Sequence, residues 1–296
     1  MTTELSFRID AMDDQSRRGP WLNLLRDVFA IDLSAYSALD IWHPGYRAFS
    51  YWAGDVIAAN VSIRPLPLLM DGQIVPAAQL HAVATRPQWR RRGLFADLMT
   101  RVLAYADGRF DRLLLFTAQC DLYRPFGFRH LPQHSFVGFL DAAPDSAAAA
   151  DCRCLDLADA DDRALILALH AARTPVSRDL GLVDNGDIFI ANAIARPDWQ
   201  LRYSPGAHAL VVLAEGSGRK RLIDVVAPAW PDAATIAAAL DLSATDGEIE
   251  ILFPPDRLPG DFRALPYTPE DDDHLMIRGP LANEGAAIML PLTALS

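Results

Sequence analysis

The chain has 296 residues, of which 51% are hydrophobic, and its mean hydropathy is +0.09. This length suits two domains of about 100–200 residues each, and no apolar run approaches the roughly 20 residues of a membrane span. The formal net charge of −11 argues against nucleic acid as a partner. Composition therefore predicts a soluble globular protein with neither a nucleic-acid nor a membrane partner.

The first residues lack the basic start and apolar block of an export signal, so we expect a cytoplasmic location. Three cysteines, Cys120, Cys152 and Cys154, have no histidine at metal-ligand spacing nearby. We therefore expect reduced thiols and no metal cofactor.

Taken in chain order, the hydrophobic pattern predicts alternating helices and strands in the first half. Asp71-Gly72 is typical of a hairpin turn, and Gly108 is typical of the end of a helix. The predicted elements are a helix over residues 17–29, strands over 49–52 and 56–70, a helix from Leu94 to Ala106, a buried strand over 111–116 and a last strand near 135–140.

An Ala/Asp-rich stretch without periodicity then predicts a linker at residues 143–154, between domains at 1–142 and 155–296. The second half repeats the order of elements, although its sequence is not recognisably a copy. It also carries the acidity: residues 1–140 hold 15 basic and 13 acidic side chains (net +2), and residues 141–296 hold 12 and 25 (net −13). A solvated acidic surface accounts for this, and attraction of a cationic substrate or partner is the alternative.

The most informative segment is residues 83–95, where a strand-like run passes into a helix-like one through Arg90-Arg91-Arg92-Gly93. A helix N-terminus directs unpaired N–H groups and the positive end of its dipole at one point, and arginines add charge there. Gly93 lets the backbone approach a bound anion without a Cβ. The segment predicts a phosphate site, and the alternative is a solvated basic patch that binds no ligand.

These residues resemble the phosphate-binding motif of the GNAT superfamily of N-acetyltransferases, in which Arg/Gln-x-x-Gly-x-Gly/Ala grips the pyrophosphate of acetyl-CoA. Arg90-x-x-Gly93 matches, and Phe95 stands where the family usually has a small residue. A second motif supports the resemblance, because residues 117–128, TAQCDLYRPFGF, are similar to the family segment that presents a tyrosine to the thiol of acetyl-CoA. The sequence RRRGL followed by a large apolar residue, Phe95, is similar to the corresponding segment of the two-domain "enhanced intracellular survival" acetyltransferase group.

The resemblance implies an α+β fold of two tandem GNAT-like domains, the second of them degenerate. Each would hold a mixed, mostly antiparallel sheet flanked by helices, with a splayed pair of parallel strands. The cosubstrate implied is acetyl-CoA. The residues implied to contact it are Val83, Ala84, Thr85, Arg90, Arg91, Arg92, Gly93, Leu94 and Phe95.

Two side chains are candidates for proton transfer. Tyr123 is the predicted acid, because a phenol with a pKa near 10 stays protonated at neutral pH and can donate to a thiolate. Packing of Tyr123 among Phe126 and Phe128 is the alternative. His81 is the candidate base, and a hydrogen-bonded core histidine is the alternative there.

An aromatic group, Trp42, His43, Tyr46, Tyr51 and Trp52, precedes and enters the second predicted strand. Aromatic faces there would suit a cationic or aromatic amine acceptor, and ordinary core packing is the alternative. The sequence does not identify the amine acceptor, which is either a small molecule or a protein. It also does not give the oligomeric state, and a homo-oligomer is left open.

We therefore expect an acetyl-CoA-dependent N-acetyltransferase that transfers directly to an amine. A covalent route through Cys120 is not favoured, because no partner in the sequence lowers the pKa of its thiol. The rival hypothesis is a non-catalytic acyl-CoA-binding or regulatory protein whose acidic second half binds a partner.

Overall fold

The fold is described from a computed structural model, over residues 4–142, 151–216, 218–242, 247–269, 272–281 and 285–295. The helices are α1 (Gln15–Phe29), α2 (Ser34–Ala38), α3 (Leu94–Ala106), α4 (Ala160–Ala171), α5 (Gly186–Ala195) and α6 (Ala233–Ala239). The strands are β1 (Ser6–Ala11), β2 (Arg47–Ala53), β3 (Val56–Pro65), β4 (Leu68–Met70), β5 (Gln73–Val75), β6 (Ala77–Thr85), β7 (Arg112–Thr117), β8 (Arg129–His130), β9 (His134–Leu140), β10 (Arg153–Cys154), β11 (Leu180–Leu182), β12 (Gln200–Ser204), β13 (Ala209–Gly216), β14 (Arg219–Val226), β15 (Ile249–Ile251), β16 (Gly260–Pro266) and β17 (His274–Arg278).

Two seven-stranded sheets form the body of the protein. The first has the order β1-β2-β3-β6-β7-β17-β8, and the second β10-β12-β13-β14-β15-β9-β16. Each combines antiparallel pairs with one parallel pair, β6 with β7 in the first sheet and β14 with β15 in the second. The predicted α+β class with two mixed, mostly antiparallel sheets is confirmed.

The parallel pairs are short, so the strands separate beyond them. Residues 77–79 of β6 pair with residues 112–114 of β7, and the next six residues of β6 form no pairs with β7. In the second sheet only Arg221 and Leu222 pair with β15. The separation leaves a gap between the two parallel strands. In the first sheet, the gap between β6 and β7 leads into a large cleft.

Helices α1 and α3 cover the first sheet because their apolar residues recur at helical spacing. Leu98, Met99 and Val102 of α3 are fully buried, as the pattern predicts, and burial of each such side chain is worth about 1.5–3 kcal/mol. Helix α1 begins at the Asp14 cap, whose carboxylate accepts a hydrogen bond from Ser16 N at 3.0 Å, and it buries Trp21, among others.

The two sheets exchange strands, which the linear reading of the sequence does not anticipate. Strand β9, expected as the last strand of the first half, lies in the second sheet between β15 and β16, where Phe136 joins the second core. Strand β17 of the second half lies between β7 and β8, where Met276 joins the first core. Strand β11 in turn pairs with β4. Each exchanged strand is buried over consecutive residues in the sheet that it joins, residues 135–138 of β9 and residues 275–277 of β17, and this burial stabilises the exchange.

The predicted linker is only partly described, because residues 143–150 lie outside the described residues. Its last two residues form β10, which pairs with β12 at the edge of the second sheet. The domain limits at 142 and 155 stay a prediction, with strands crossing them in both directions.

The segment of residues 285–295 packs between the two halves. Gln79 Nε2 donates to Ala294 O at 2.8 Å, and Thr293 Oγ1 donates to Asp224 Oδ2 at 2.6 Å. Asp224 also forms an ion pair with Arg173 at 2.6 Å, in which both side chains are fully buried. This polar network ties the end of the described chain to both sheets.

Candidate active site

A cleft of about 920 Å³ opens where β6 and β7 separate. Its size is at the upper end of small-molecule sites, which span roughly 300–1,000 Å³. Most of its lining residues belong to the first half. The second half contributes Asp273 and, from α5, Asp187, Ile188, Ala191, Asn192 and Ala195. The cleft is therefore built by both halves of the chain.

Strand β6 carries a β-bulge directly beside the cleft. Ser62 of β3 pairs with His81 and Asn60 pairs with Ala84, so β6 has one more residue than β3 between these pairs. Ala82 in the bulge has φ of 50°, and its carbonyl accepts a hydrogen bond from Asn60 Nδ2 at 2.7 Å. The bulge changes the direction of the strand just before its cleft-lining end.

The next residues, Val83, Ala84 and Thr85, all line the cleft. Since β6 has no strand partner there on the β7 side, backbone groups on that edge are available to a ligand. This is the edge at which a thioester carbonyl could be held by a backbone N–H.

The arginine loop, residues 86–93, is folded against itself. Arg90 Nε donates to Thr85 O at 3.0 Å, and Arg92 Nη2 donates to Gln88 O at 3.1 Å. The Arg92 guanidinium lies 4.6 Å from the ring centroid of Trp89. These contacts fix the loop before any ligand binds, which lowers the entropy cost of binding.

Helix α3 begins at Gly93, whose φ of 78° and lack of a side chain leave the helix N-terminus without a side-chain cap. Arg91 also has a positive φ, of 61°. The first-turn N–H groups and the helix dipole thus face the cleft beside Arg90, Arg91 and Arg92. The predicted residues from Arg90 to Phe95 are together at this end of the cleft, in an arrangement suited to an anion.

Phe95 contacts the candidate acid directly. Its ring meets those of Tyr123 and Phe126 edge-on, each at 5.6 Å between centroids. The large side chain at this position therefore packs against the segment that contains Tyr123.

Tyr123 lies between two short 3-10 turns, Cys120–Leu122 and Arg124–Phe126, and lines the cleft. Its side chain is buried at 6% exposure, with Phe128 at 6.2 Å. Burial, with a smaller effect from the Asp273 charge, raises the pKa of Tyr123 to about 12. The phenol thus has the features of both alternatives considered for Tyr123, because it packs among aromatic rings and is also a protonated group in the cleft.

Cys120 precedes Tyr123 by three residues, and its Sγ lies 3.9 Å from Thr117 O. Burial raises the pKa of this thiol. A protonated thiol is a poor nucleophile, in accord with the expectation of direct transfer.

His81 lies on the opposite side of the bulge from Val83 and also lines the cleft. Its ring meets Tyr46 edge-on at 4.6 Å, and its Nε2 is buried without a hydrogen bond among the described residues. Burial and the nearby Arg64 charge lower the pKa of His81 to about 3, so the imidazole is neutral at neutral pH.

The far end of the cleft is aromatic. Trp42 packs edge-on against Trp21 at 5.5 Å and against Tyr46 at 5.6 Å, and Tyr36 also lines the cleft. Two members of the predicted aromatic group, Trp42 and Tyr46, are therefore cleft residues.

The other three members of that group make different contacts. His43 Nδ1 accepts a hydrogen bond from Gly45 N at 2.9 Å. Tyr51 donates to Asp97 of α3 at 2.6 Å, and Trp52 packs under the Arg8 guanidinium at 4.5 Å.

An ion pair joins the two halves at this aromatic end. Arg64 of β3, with 1% of its side chain exposed, contacts Asp187 of α5 at 2.5 Å, and Asp187 is 15% exposed. The sequence marks neither residue as a site residue, because nothing in the linear order connects β3 with a helix more than a hundred positions later.

In the second half, β14, α6 and β15 follow one another in the same order as β6, α3 and β7 in the first half. The second half does not have a counterpart of the arginine loop between its strand and its helix. The connection over residues 227–232 reads APAWPD, without arginine or glycine. A smaller cavity of about 470 Å³ in this half is lined by Arg219, Lys220 and Glu248, among others.

Comparison with known proteins decides the family. Residues 14–131 match the model of the acetyltransferase (GNAT) domain. The first half is a GNAT acetyltransferase domain. The match includes the bulged strand, the arginine loop and Tyr123, and acyl transfer is the reaction class of this domain family, so the first half marks the protein as an acyltransferase.

Solved structures extend the likeness to the whole chain. A probable N-acyltransferase from Enterococcus faecalis V583 has 14% identity and a TM-score of 0.60, over 95% of this chain and 74% of that one. A GCN5-related N-acetyltransferase from Kribbella flavida has 19% identity and a TM-score of 0.55, over 96% and 74%. Eis1 from Mycobacterium abscessus has 16% identity and a TM-score of 0.57, over 92% and 73%. At these identities the likeness shows a shared fold, that of tandem GNAT-like domains. A search of curated protein sequences gave no match.

The described residues contain no helix with the length and apolar character needed to cross a bilayer. In the same part of the chain, His, Cys, Asp and Glu side chains form no group of three or more placed to hold a metal ion.

Proposed function

We propose that this protein is an acetyl-CoA-dependent N-acetyltransferase that passes the acetyl group directly from CoA to an amine. One observation carries the proposal: the arginine loop, the open edge of β6 and Tyr123 line a single cleft. A phosphate cradle, a carbonyl-binding edge and a proton donor are the three groups that transfer from a CoA thioester requires.

In this proposal the pyrophosphate of acetyl-CoA lies against the loop and the first turn of α3, held by Arg90, Arg91, Arg92, Gly93, Leu94 and Phe95. The pantetheine arm follows the unpaired edge of β6. A backbone N–H at Val83, Ala84 or Thr85 polarises the thioester carbonyl and stabilises the oxyanion that forms on attack.

Tyr123 then donates its proton to the departing thiolate. A pKa of about 12 keeps the phenol protonated at neutral pH, and a thiol with a pKa of about 8.5 takes that proton readily. Since Cys120 remains a thiol, the chemistry needs no acyl-enzyme.

His81 is proposed to face the acceptor side of the reaction. The prediction that it acts as the base stays a prediction, and its low pKa means that it would not retain a proton at neutral pH. A neutral Nε2 can accept a hydrogen bond from the amine or from a bound water.

The amine acceptor is proposed to enter between the aromatic wall and α5. Aromatic faces attract cations, and Asp187 supplies a carboxylate that Arg64 holds in place. In this arrangement the domain at 155–296, which has no arginine loop, shapes the acceptor end, while the domain at 1–142 binds acetyl-CoA.

The test is amine-dependent release of the CoA thiol, measured on the full chain with acetyl-CoA and a panel of amines. We expect thiol release only when both substrates are present, with the acetylated amine found by mass spectrometry. If acetyl-CoA raises the melting temperature and yet no amine in the panel releases thiol, the protein is the non-catalytic acyl-CoA binder and the proposal fails.

The cradle is tested separately with Arg91→Ala combined with Arg92→Ala. Charge-assisted hydrogen bonds contribute about 1.5–3 kcal/mol each, so we expect the KM for acetyl-CoA to rise at least tenfold. Arg109→Ala is the matched control, because Arg109 lies beyond the other end of α3 and stacks on Tyr105 at 4.5 Å. Equal KM values for the double variant and the control would contradict the assignment.

A further inference from the structure

The exchanged strand β17 delivers a residue of the second half to the transfer end of the cleft. His274 pairs with Thr117 at the end of β7, and Asp273 immediately precedes this pair. Asp273, Thr117 and Tyr123 all line the cleft. A carboxylate from far along the chain thus lies at the same end as the proposed acid.

The charges of the cleft divide between the two halves. The arginines lining it come from the first half, and the carboxylates among its described lining residues are Asp187 and Asp273, both from the second. Asp187 is held by Arg64 at the aromatic end. Asp273 is at the Tyr123 end, and its charge helps keep the tyrosine protonated.

We propose that Asp273 is the base that accepts the proton of the attacking amine, in the same cleft where Tyr123 protonates the thiolate. The inference rests on the proposed function. Direct transfer needs a proton acceptor and a proton donor at one reacting centre. Asp273, just before β17, supplies the first, and Tyr123, after β7, supplies the second.

The proton balance of this step is complete. The ammonium group loses one proton to Asp273, and the free amine attacks the carbonyl carbon to form the C–N bond. The C–S bond breaks, and the thiolate takes the phenolic proton of Tyr123. The nitrogen, acidic once the C–N bond has formed, loses its second proton to solvent. Asp273 then releases its proton to solvent and the tyrosine is reprotonated from solvent, so that one proton is released overall.

Several titratable groups surround this carboxylate. On its own segment, Asp272 contacts His274 Nε2 at 3.0 Å, and the His274 ring meets His130 of β8 at 5.0 Å. From the segment after β7, Cys120, Arg124 and Tyr123 approach the same region. Of these neighbours, only Tyr123 lines the cleft together with Asp273.

The decisive experiment compares Asp273→Asn with Asp272→Asn in the full chain. Asp272 is the matched control, because it is the adjacent carboxylate, exposed and outside the cleft lining. Thiol release is measured with ethylamine, which is an ammonium ion at neutral pH, and with trifluoroethylamine, which has nearly the same size but is neutral there. Loss of general-base catalysis is expected to cost about 10²-fold in kcat.

With ethylamine we expect kcat of Asp273→Asn to fall about 10²-fold at neutral pH and the deficit to shrink in alkaline solution, where the amine loses its proton unaided. With trifluoroethylamine the variant should approach the wild-type rate, since no base is needed. A purely structural role would lower both rates equally at every pH.

The outcomes separate the two proposals. If wild type releases no thiol with any amine at any pH, the proposed function fails. If wild type is active and Asp273→Asn matches Asp272→Asn with ethylamine, or loses equal activity with both amines, the assignment of Asp273 is wrong. The best acceptor of the amine panel, assayed at neutral and alkaline pH, provides the same comparison.

Discussion

Burial acts on Tyr123 and Cys120 in the same direction but with opposite chemical results. It raises the pKa of both groups, which keeps the phenol as a proton donor and keeps the thiol from becoming a thiolate. A single partly dry environment therefore favours an acid and disfavours a covalent nucleophile. Because the two groups are three residues apart on one segment, this environment supports the proposed direct transfer.

His81 gives a prediction about stability. Its pKa in the folded protein is about 3, against 6.5 for a free histidine, so between these values the unfolded chain binds a proton that the folded chain does not. The free energy of unfolding therefore falls as the pH drops below 6.5. Urea unfolding of His81→Gln at about pH 7 and about pH 5 should show a pH-dependent loss smaller than that of wild type by about 1–2 kcal/mol.

The control for this effect is His208→Gln, an exposed histidine of the second half. His170 is also buried with a lowered pKa, so some pH dependence remains in His81→Gln. An unchanged pH dependence in His81→Gln would show that the imidazole is not held in its neutral form.

Residues of the site were predictable from sequence where the chemistry is local. The arginines and Gly93 belong to one strand-to-helix turn, and Tyr123 follows within two elements. Asp187 and Asp273 were not predictable as cleft residues. Asp273 belongs to an acidic run that is typical of a solvated turn, nothing marks Asp187, and only the three-dimensional arrangement brings both to the cleft. Phe95 departs from the small residue of the family, and its contact with Tyr123 gives the physical reason.

At the scale of elements, the unit of β6, loop and α3 carries the cofactor end of the proposed site. It forms locally, because the mainly apolar run of β6 and the helical spacing in α3 are strong signals. Helix α5 gave no comparable signal, since its sequence GDIFIANAIA is apolar on most positions and lacks a periodic polar face.

Two glycines at the ends of α3 provide a matched test of the cradle. Gly93 and Gly108 have φ of 78° and 76°, and an added Cβ at either would meet no atom within 4 Å. Alanine at each should lower the free energy of unfolding by about 1–2 kcal/mol through left-handed backbone strain. Only Gly93→Ala should also weaken acetyl-CoA binding, measured by isothermal titration calorimetry, because Gly108 is a helix length away from the loop. Equal affinities would place the pyrophosphate elsewhere.

At the scale of the whole molecule, exchanged strands make each half incomplete without the other. Strand β9 completes the second sheet, β17 completes the first, and the buried pair of Arg173 and Asp224 ties the last described segment between them. The sequence predicted which helices and strands each half contains, but it did not predict this exchange. A short apolar strand has the same sequence pattern whichever sheet it joins.

We therefore expect the two halves to unfold together. Urea unfolding followed by tryptophan fluorescence and by circular dichroism should give coincident transitions. Asp224→Asn should lower the free energy of unfolding of that single transition by about 3–5 kcal/mol, since it leaves a buried arginine uncompensated. Asp241→Asn, which breaks an exposed pair with Arg202, should cost at most about 1 kcal/mol. Separate transitions for the two halves would contradict the account.

The central claim is that one cleft, built by both halves, performs direct acetyl transfer with Tyr123 as the acid. The most direct measurement is kcat for amine-dependent CoA release by Tyr123→Phe at saturating acetyl-CoA. We predict a fall of about 10²–10³-fold with little change in the KM for acetyl-CoA, because the phenol acts only as the thiolate leaves. The deficit should persist at alkaline pH, since the pKa of Tyr123 is about 12. A wild-type kcat in Tyr123→Phe would contradict the claim.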